Sequence, residues 1–238
     1  MRRGVLALAA IAAAALLAAT VAIVGGWWAP WAQRYVQGVD VSWHQGAIDW
    51  RALAGDDVAF AYIKATEGAD HVDPRFARNW ADAARAGVLR GAYHFFTLCR
   101  PGAQQAENFI RTVPRAAGTM PPALDLEHKG PCREGPTMRD VVGEMGAFLE
   151  RVEAHYGVRP ILYTTREFHD AHLAGVRGER FWLRSLFRAP DFRERDWVIW
   201  QHHNRGRKRG VSGPIDLNAF RGDAAALVRF ANSTRPST

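Results

Sequence analysis

Apolar positions recur along this chain in two rhythms. Short runs rich in Val, Ile, Phe, Tyr and Trp, several alternating with period two, predict strands near 39–43, 58–67, 89–96, 123–127, 160–165, 181–186, 197–202 and 213–220. Helical periodicity fills several gaps between them, at 74–86, 103–113 and 137–156, with shorter segments after Gly46 and Thr165 and a last one at 223–231. Asp73-Pro74 and Thr137 are helix starts, and Gly87 and Gly157 stand where a C-terminal glycine cap falls. Strands alternating with helices imply parallel β-α units, and eight strands suffice to close a barrel. The last third is irregular: its strands are closely spaced, and 203–210 has the character of a hairpin turn rather than a helical crossover. The expectation is an irregular α/β barrel of eight strands with fewer than eight helices, the last strands partly antiparallel.

A different pattern opens the chain. Met1-Arg2-Arg3 precedes an almost unbroken apolar run from Val5 to about Gly26, longer than a secretory core segment and long enough to span a bilayer. Arginines stay on the cytoplasmic side, so the remainder is expected outside the cytoplasm, with Trp27, Trp28 and Trp31 as an interfacial aromatic belt. Residues 1–37 are therefore read as a signal anchor and linker, 38–231 as one catalytic barrel and 232–238 as a polar tail. The anchored protein is expected at the inner membrane facing the periplasm; a cleaved signal peptide, with Thr20-Val21-Ala22 as its small-residue site, is the competing reading and gives a secreted protein, outside the cytoplasm in either case.

Composition sharpens this picture in two places. A net charge of +7 favours an anionic partner, yet the compact basic run Arg205-Gly-Arg-Lys-Arg-Gly210 lacks interleaved aromatics for base stacking, so nucleic acid is not expected. Of the two cysteines, Cys99 follows one predicted strand and Cys132 another, which places both on one barrel rim; in an oxidising compartment a disulfide is expected.

The candidate chemistry lies in Ala123-Leu-Asp-Leu-Glu127. Residues two apart on a strand share a face, so Asp125 and Glu127 project together at a strand's C-terminal end, where barrel enzymes put their chemistry. Their Cα atoms are roughly 6–7 Å apart. Two carboxylates at that separation resist joint ionisation, and the resulting acid and anion are what glycosidic cleavage requires. Asp40 in Gly38-Val-Asp-Val-Ser-Trp43 and Asp216 in Pro214-Ile-Asp-Leu-Asn218 interrupt apolar segments in the first and last strands, neighbours in a closed barrel, where lone carboxylates are costly. Trp43, Tyr62, Tyr93, Tyr163, Trp182 and Trp200 stand near strand ends as candidate sugar-stacking platforms.

These residues lie in motifs that carry a resemblance. Gly38-Val-Asp-Val-Ser-Trp-His-Gln45, Phe60-Ala-Tyr-Ile-Lys-Ala-Thr-Glu-Gly68, Gly91-Ala-Tyr-His-Phe-Phe96, Ala123-Leu-Asp-Leu-Glu127, Ile161-Leu-Tyr-Thr164, Trp200-Gln201 and Ile215-Asp-Leu-Asn-Ala-Phe220 resemble, in order, the family 25 glycoside hydrolases, the Chalaropsis-type muramidases. The resemblance implies a flattened barrel and hydrolysis of the β-1,4 bond between N-acetylmuramic acid and N-acetylglucosamine in peptidoglycan, with retention. It implies Glu127 as general acid and base, Asp125 as nucleophile or as support for attack by the substrate's acetamido group, and Asp40 and Asp216 as the acidic floor. Tyr62, Lys64, Glu67, Tyr93, Tyr163, Trp182, Trp200, Gln201 and Asn218 are the expected substrate contacts. Neither metal nor cofactor is expected; the expected partners are glycan strands and a membrane, for a monomer. Two rivals remain: a tethered peptidoglycan-binding protein without turnover, and a metal-dependent polysaccharide deacetylase. The latter is disfavoured because His169-x-x-His172 and His202-His203 lack the i, i+4 spacing of metal-binding helices.

Overall fold

A computed structural model describes residues 2–24, 32–128, 140–186, 188–193 and 196–232. Its first element is a helix, α1 (Arg2–Val24), exposed wherever its side chains are described. Nine strands follow: β1 (Val36–Val41), β2 (Phe60–Glu67), β3 (His71–Val72), β4 (Leu89–Phe95), β5 (Ala123–Leu126), β6 (Ile161–Thr164), β7 (Phe181–Arg184), β8 (Trp197–Gly206) and β9 (Ile215–Phe220). All but β3 form a closed ring in the order β1-β9-β8-β7-β6-β5-β4-β2, sealed by parallel pairing of β1 with β2. The other barrel strands all pair in parallel with one another; only β9 is reversed, antiparallel to both β8 and β1. The expected barrel with antiparallel pairing at its end is therefore the one observed. β3 is an addition, a two-residue strand folded back on the end of β2 through Gly68, whose φ of 57° suits the turn.

Helices α2 (Trp50–Ala54), α3 (Phe76–Arg85), α4 (Gly102–Thr112), α5 (Val141–Tyr156), α6 (Arg166–Phe168, continued as a π turn to Leu173) and α7 (Ala224–Asn232) complete the chain. Local chemistry sets their ends. Asp49 accepts hydrogen bonds from the Arg51 and Ala52 amides to start α2, Asp140 accepts one from Gly143 to start α5, and Gly157 ends α5 at a φ of 74°. Thr137, expected to start that helix, lies outside the described residues, as do Trp27, Trp28, Trp31 and Cys132.

Strand alternation sorts the core into two layers. Side chains facing into the barrel form one cluster, including Phe60, Tyr62, Tyr93, Ile161, Tyr163, Trp182, Ile199 and Phe220, onto which α7 packs Leu227 and Ala231. Outward-facing Val39, Ile63, Leu124, Leu162, Leu183 and Trp200 join Trp80, Phe109, Phe148 and Leu149 of the surrounding helices in the other. Two glycines make the inner packing possible. A Cβ at Gly38 would fall 2.4 Å from the Phe60 ring, and one at Gly91 2.4 Å from the Tyr62 ring. Filling the barrel's lower half with aromatics makes it a solid floor, and leaves the rim at the C-terminal ends of the parallel strands for the site.

Candidate active site

At that rim a cavity of about 310 Å³ opens, lined by Asp40, Asp125, Glu127 and Asp216 together with Lys64, Tyr93, Tyr163, Trp182 and Gln201. Strand register explains how acids distant in sequence meet. Asp40 near the end of β1 stands directly opposite Asp216 near the start of β9, because that pair is antiparallel. Asp125 lies on β5 opposite Phe95 of β4, and Glu127 is the first residue beyond β5, on the same face as Asp125 by alternation. The backbone there is tied down: Thr164 on β6 donates its hydroxyl hydrogen bond to the Leu126 carbonyl at 3.0 Å.

The acids differ in their surroundings. Oδ2 of Asp40 accepts hydrogen bonds from Gln201 Nε2 at 2.9 Å and Asn218 Nδ2 at 2.7 Å. Those amides cannot turn round, because Tyr163 donates to Gln201 Oε1 at 3.0 Å and the Trp182 indole to Asn218 Oδ1 at 2.8 Å. Burial pushes Asp40 up, these two donors pull it back, and it settles at about 6. Asp216 has no such pair of donors, and burial followed by the charge of Asp40 raises it to about 9, with Arg184 opposing. In its protonated form it donates a hydrogen bond to Asp40. Asp125 is also pushed well above the ordinary range, first by burial, then by the charges of Glu127 and Asp40, with Lys64 opposing. Its Oδ1 is buried without a hydrogen-bond partner among the described residues. A buried acceptor left bare costs free energy unless something outside the protein completes it.

The expected contacts divide on inspection. Trp182 is the centre of an aromatic floor, with Tyr163 against it at 4.8 Å between centroids and Tyr93 at 6.4 Å. Lys64 lines the cavity with its ammonium 2.6 Å from Glu67, while Glu67 itself stands back from the lining. Asn218 is fully buried and reaches the site through Asp40. Tyr62 is buried beneath Trp182, stacked on it at 4.9 Å, and its hydroxyl is spent on the Pro121 carbonyl. Trp200 faces away from the barrel interior into the helix layer, donating to the Ser185 carbonyl at 2.6 Å. Neither of these two rings lines the cavity. Ser42, His44, Phe95, Arg184 and Asn204 do, and the sequence reading did not single them out. Arg184 had a signal: it lies two residues beyond Trp182 on one strand, hence on the same face.

The histidines weighed as metal ligands lie elsewhere. His169 uses both ring nitrogens structurally, one on Asp170 at 2.8 Å and one accepting from Arg193 at 2.9 Å. Among the described residues no group of three His, Cys, Asp or Glu is arranged to hold a metal ion.

Acids kept in different protonation states above an aromatic floor suit one task, moving a proton on and off a sugar oxygen, and a barrel that presents them at its rim is a glycosidase in architecture. Sequence comparison agrees. A sequence profile of glycosyl hydrolases family 25 matches residues 39–211. Lysozyme M1 of Streptomyces globisporus is 36% identical over 84% of this chain and 72% of its own. The solved structure of a family 25 glycosyl hydrolase from Bacillus anthracis superimposes with a TM-score of 0.77 at 39% identity, covering 83% of this chain and 94% of that one. The bacterial lysozyme from Streptomyces coelicolor does so with a TM-score of 0.76 at 33% identity, covering 84% and 99%. The chain belongs to glycosyl hydrolase family 25 and is a glycoside hydrolase of the lysozyme type.

Proposed function

We propose that the enzyme hydrolyses the β-1,4 bond between N-acetylmuramic acid and N-acetylglucosamine in peptidoglycan, with retention at the anomeric carbon. Glu127 donates a proton to the bridging oxygen as that bond breaks, and the substrate's acetamido oxygen attacks C1 from the opposite face. Asp125 accepts the acetamido N–H and balances the charge of the cyclic intermediate; water, deprotonated by Glu127, then opens it and restores the starting states. The observation that carries this reading is the bare, buried Oδ1 of Asp125 beside Glu127, an acceptor waiting for a substrate N–H. Burial and the charge of Glu127 favour one retained proton on the pair, which supplies the acid form. Asp40 and Asp216 complete the floor.

Digestion of purified peptidoglycan, read by mass spectrometry, is expected to place the new reducing ends on N-acetylmuramic acid; ends on N-acetylglucosamine overturn the bond assignment. Proton NMR during the first turnovers is expected to show the β-anomer forming first, and α-anomer first overturns retention.

We also propose that α1 tethers the enzyme to the cytoplasmic membrane with the barrel on the outer side. Its window Gly4–Val21 has a mean hydropathy of 2.4 and buries no side chain in the protein, which suits a bilayer and equally suits a signal sequence. Pairing of Cys99 with Cys132 belongs to the same proposal, since both readings place the barrel in an oxidising compartment. Two titratable thiols in unreduced, denatured protein refute it.

A further inference from the structure

Two basic side chains, Lys64 and Arg184, line the cavity, and they are used differently. Lys64 is held by Glu67. Arg184 makes no hydrogen bond and no ion pair among the described residues. A half-buried guanidinium has given up part of its hydration, and although its charge is felt by Asp216, Tyr163 and Glu167, none of them closes a hydrogen bond on it. The carboxylates around it are only partly available, because Asp216 favours its protonated form, Asp125 and Glu127 retain one proton between them, and Asp40 is satisfied by Gln201 and Asn218. The cavity of four acids is therefore less anionic than its residue count suggests, and Arg184 keeps its field.

Position narrows what Arg184 meets. Leu126 is level with Thr164, and Thr164 with Leu183, so Glu127 and Arg184 each stand one residue further toward the rim, two strand positions apart. That separates their backbones by roughly 10 Å, room for one sugar ring between the two side chains. The ring whose C1 is cleaved beside Glu127 is, on the reading proposed above, N-acetylmuramic acid, which bears on C3, two ring atoms from C1, a lactyl ether whose carboxylate extends beyond the ring.

We propose that Arg184 receives the lactyl carboxylate of that muramic unit, so that the enzyme favours strands stripped of their peptide stems, in which this carboxylate is free. The guanidinium fork matches a carboxylate with two parallel hydrogen bonds, which an amide-capped lactyl group cannot reproduce.

The test uses peptide-free strands of alternating N-acetylglucosamine and N-acetylmuramic acid, and the same strands with every lactyl carboxylate converted to its methylamide. For the wild type, amidation is expected to raise KM about 10- to 100-fold with kcat within about threefold, the loss of one charge-assisted contact. Arg184→Gln is expected to show the raised KM on carboxylate strands and no further response to amidation, and Arg184→Lys to recover part of the preference. An equal loss for Arg184→Gln on both strands overturns the inference, because it then acts on the neighbouring acids, as does a wild type indifferent to amidation. If the wild type cuts neither strand, the proposed function itself falls; equal KM on both removes this inference alone.

Discussion

Asp40 and Asp216 face each other across one antiparallel pair, yet one settles at about 6 and the other at about 9. The difference lies in two amides held by a tyrosine and a tryptophan. Both aspartates titrate near 4 in an unfolded chain, so the folded protein binds more protons above that pH and its stability falls as pH rises. Asp40 does this between about 4 and 6, Asp216 between about 4 and 9. Asp216→Asn, which mimics the protonated state, is expected to gain on the wild type by more than about 1 kcal/mol between pH 4.5 and 8.5. Urea melts at the two pH values measure it, and parallel curves refute it. Glu127→Gln is expected to stay folded while kcat on peptidoglycan drops about 10²- to 10⁴-fold, read as reducing-end release. The Asp125 and Glu127 pair was legible because alternation within one short strand puts both on a face. Trp200 was misplaced by the same parity: it sits next to inward-facing Gln201, and an aromatic near a strand end does not announce which face it takes.

Strands and helices were legible wherever they are long. Eight of the nine strands match apolar runs, and α3, α4 and most of α5 follow helical periodicity, α5 with a side-chain cap at Asp140 and a glycine stop at Gly157. What escaped is short or extends past its apolar core: β3 has two residues, and β8 runs on through polar His203 to Gly206, carrying Asn204 over the cavity. Arg184 was missed because arginine is abundant in this chain, although its place two residues beyond Trp182 put both side chains on one face. Strand fit also carries a prediction. Gly91→Ala puts a methyl into the Tyr62 ring that supports Trp182, so a destabilisation of about 1–3 kcal/mol is expected. Chemical denaturation checks this; an unchanged midpoint means that β4 shifts to admit the methyl group.

On the scale of the whole molecule, the two-layer core is complete without α1. A form beginning at residue 32 is accordingly expected to melt at the temperature of the full chain in detergent, and, if α1 is a tether as proposed, to damage the wall more widely than the full chain when exported. Equal lysis by both forms argues that the N-terminal segment does not restrain the barrel. Charge of +7 makes contact with an anionic wall favourable for either form.

The reversed direction of β9 has a consequence for where the chain enters and leaves. Val36, the first residue of β1, is level with Phe220, the last of β9, at the end of the barrel opposite the four acids. The turn at 32–35, with Ala32 buried in the outer core, is fixed to that closed base, so the seven residues 25–31 limit the leash to α1 to at most roughly 30 Å. A barrel leashed by its base turns its open mouth away from the anchorage, so a membrane-held enzyme would graze only the innermost glycan, and the leash length would set how deep into the wall it feeds.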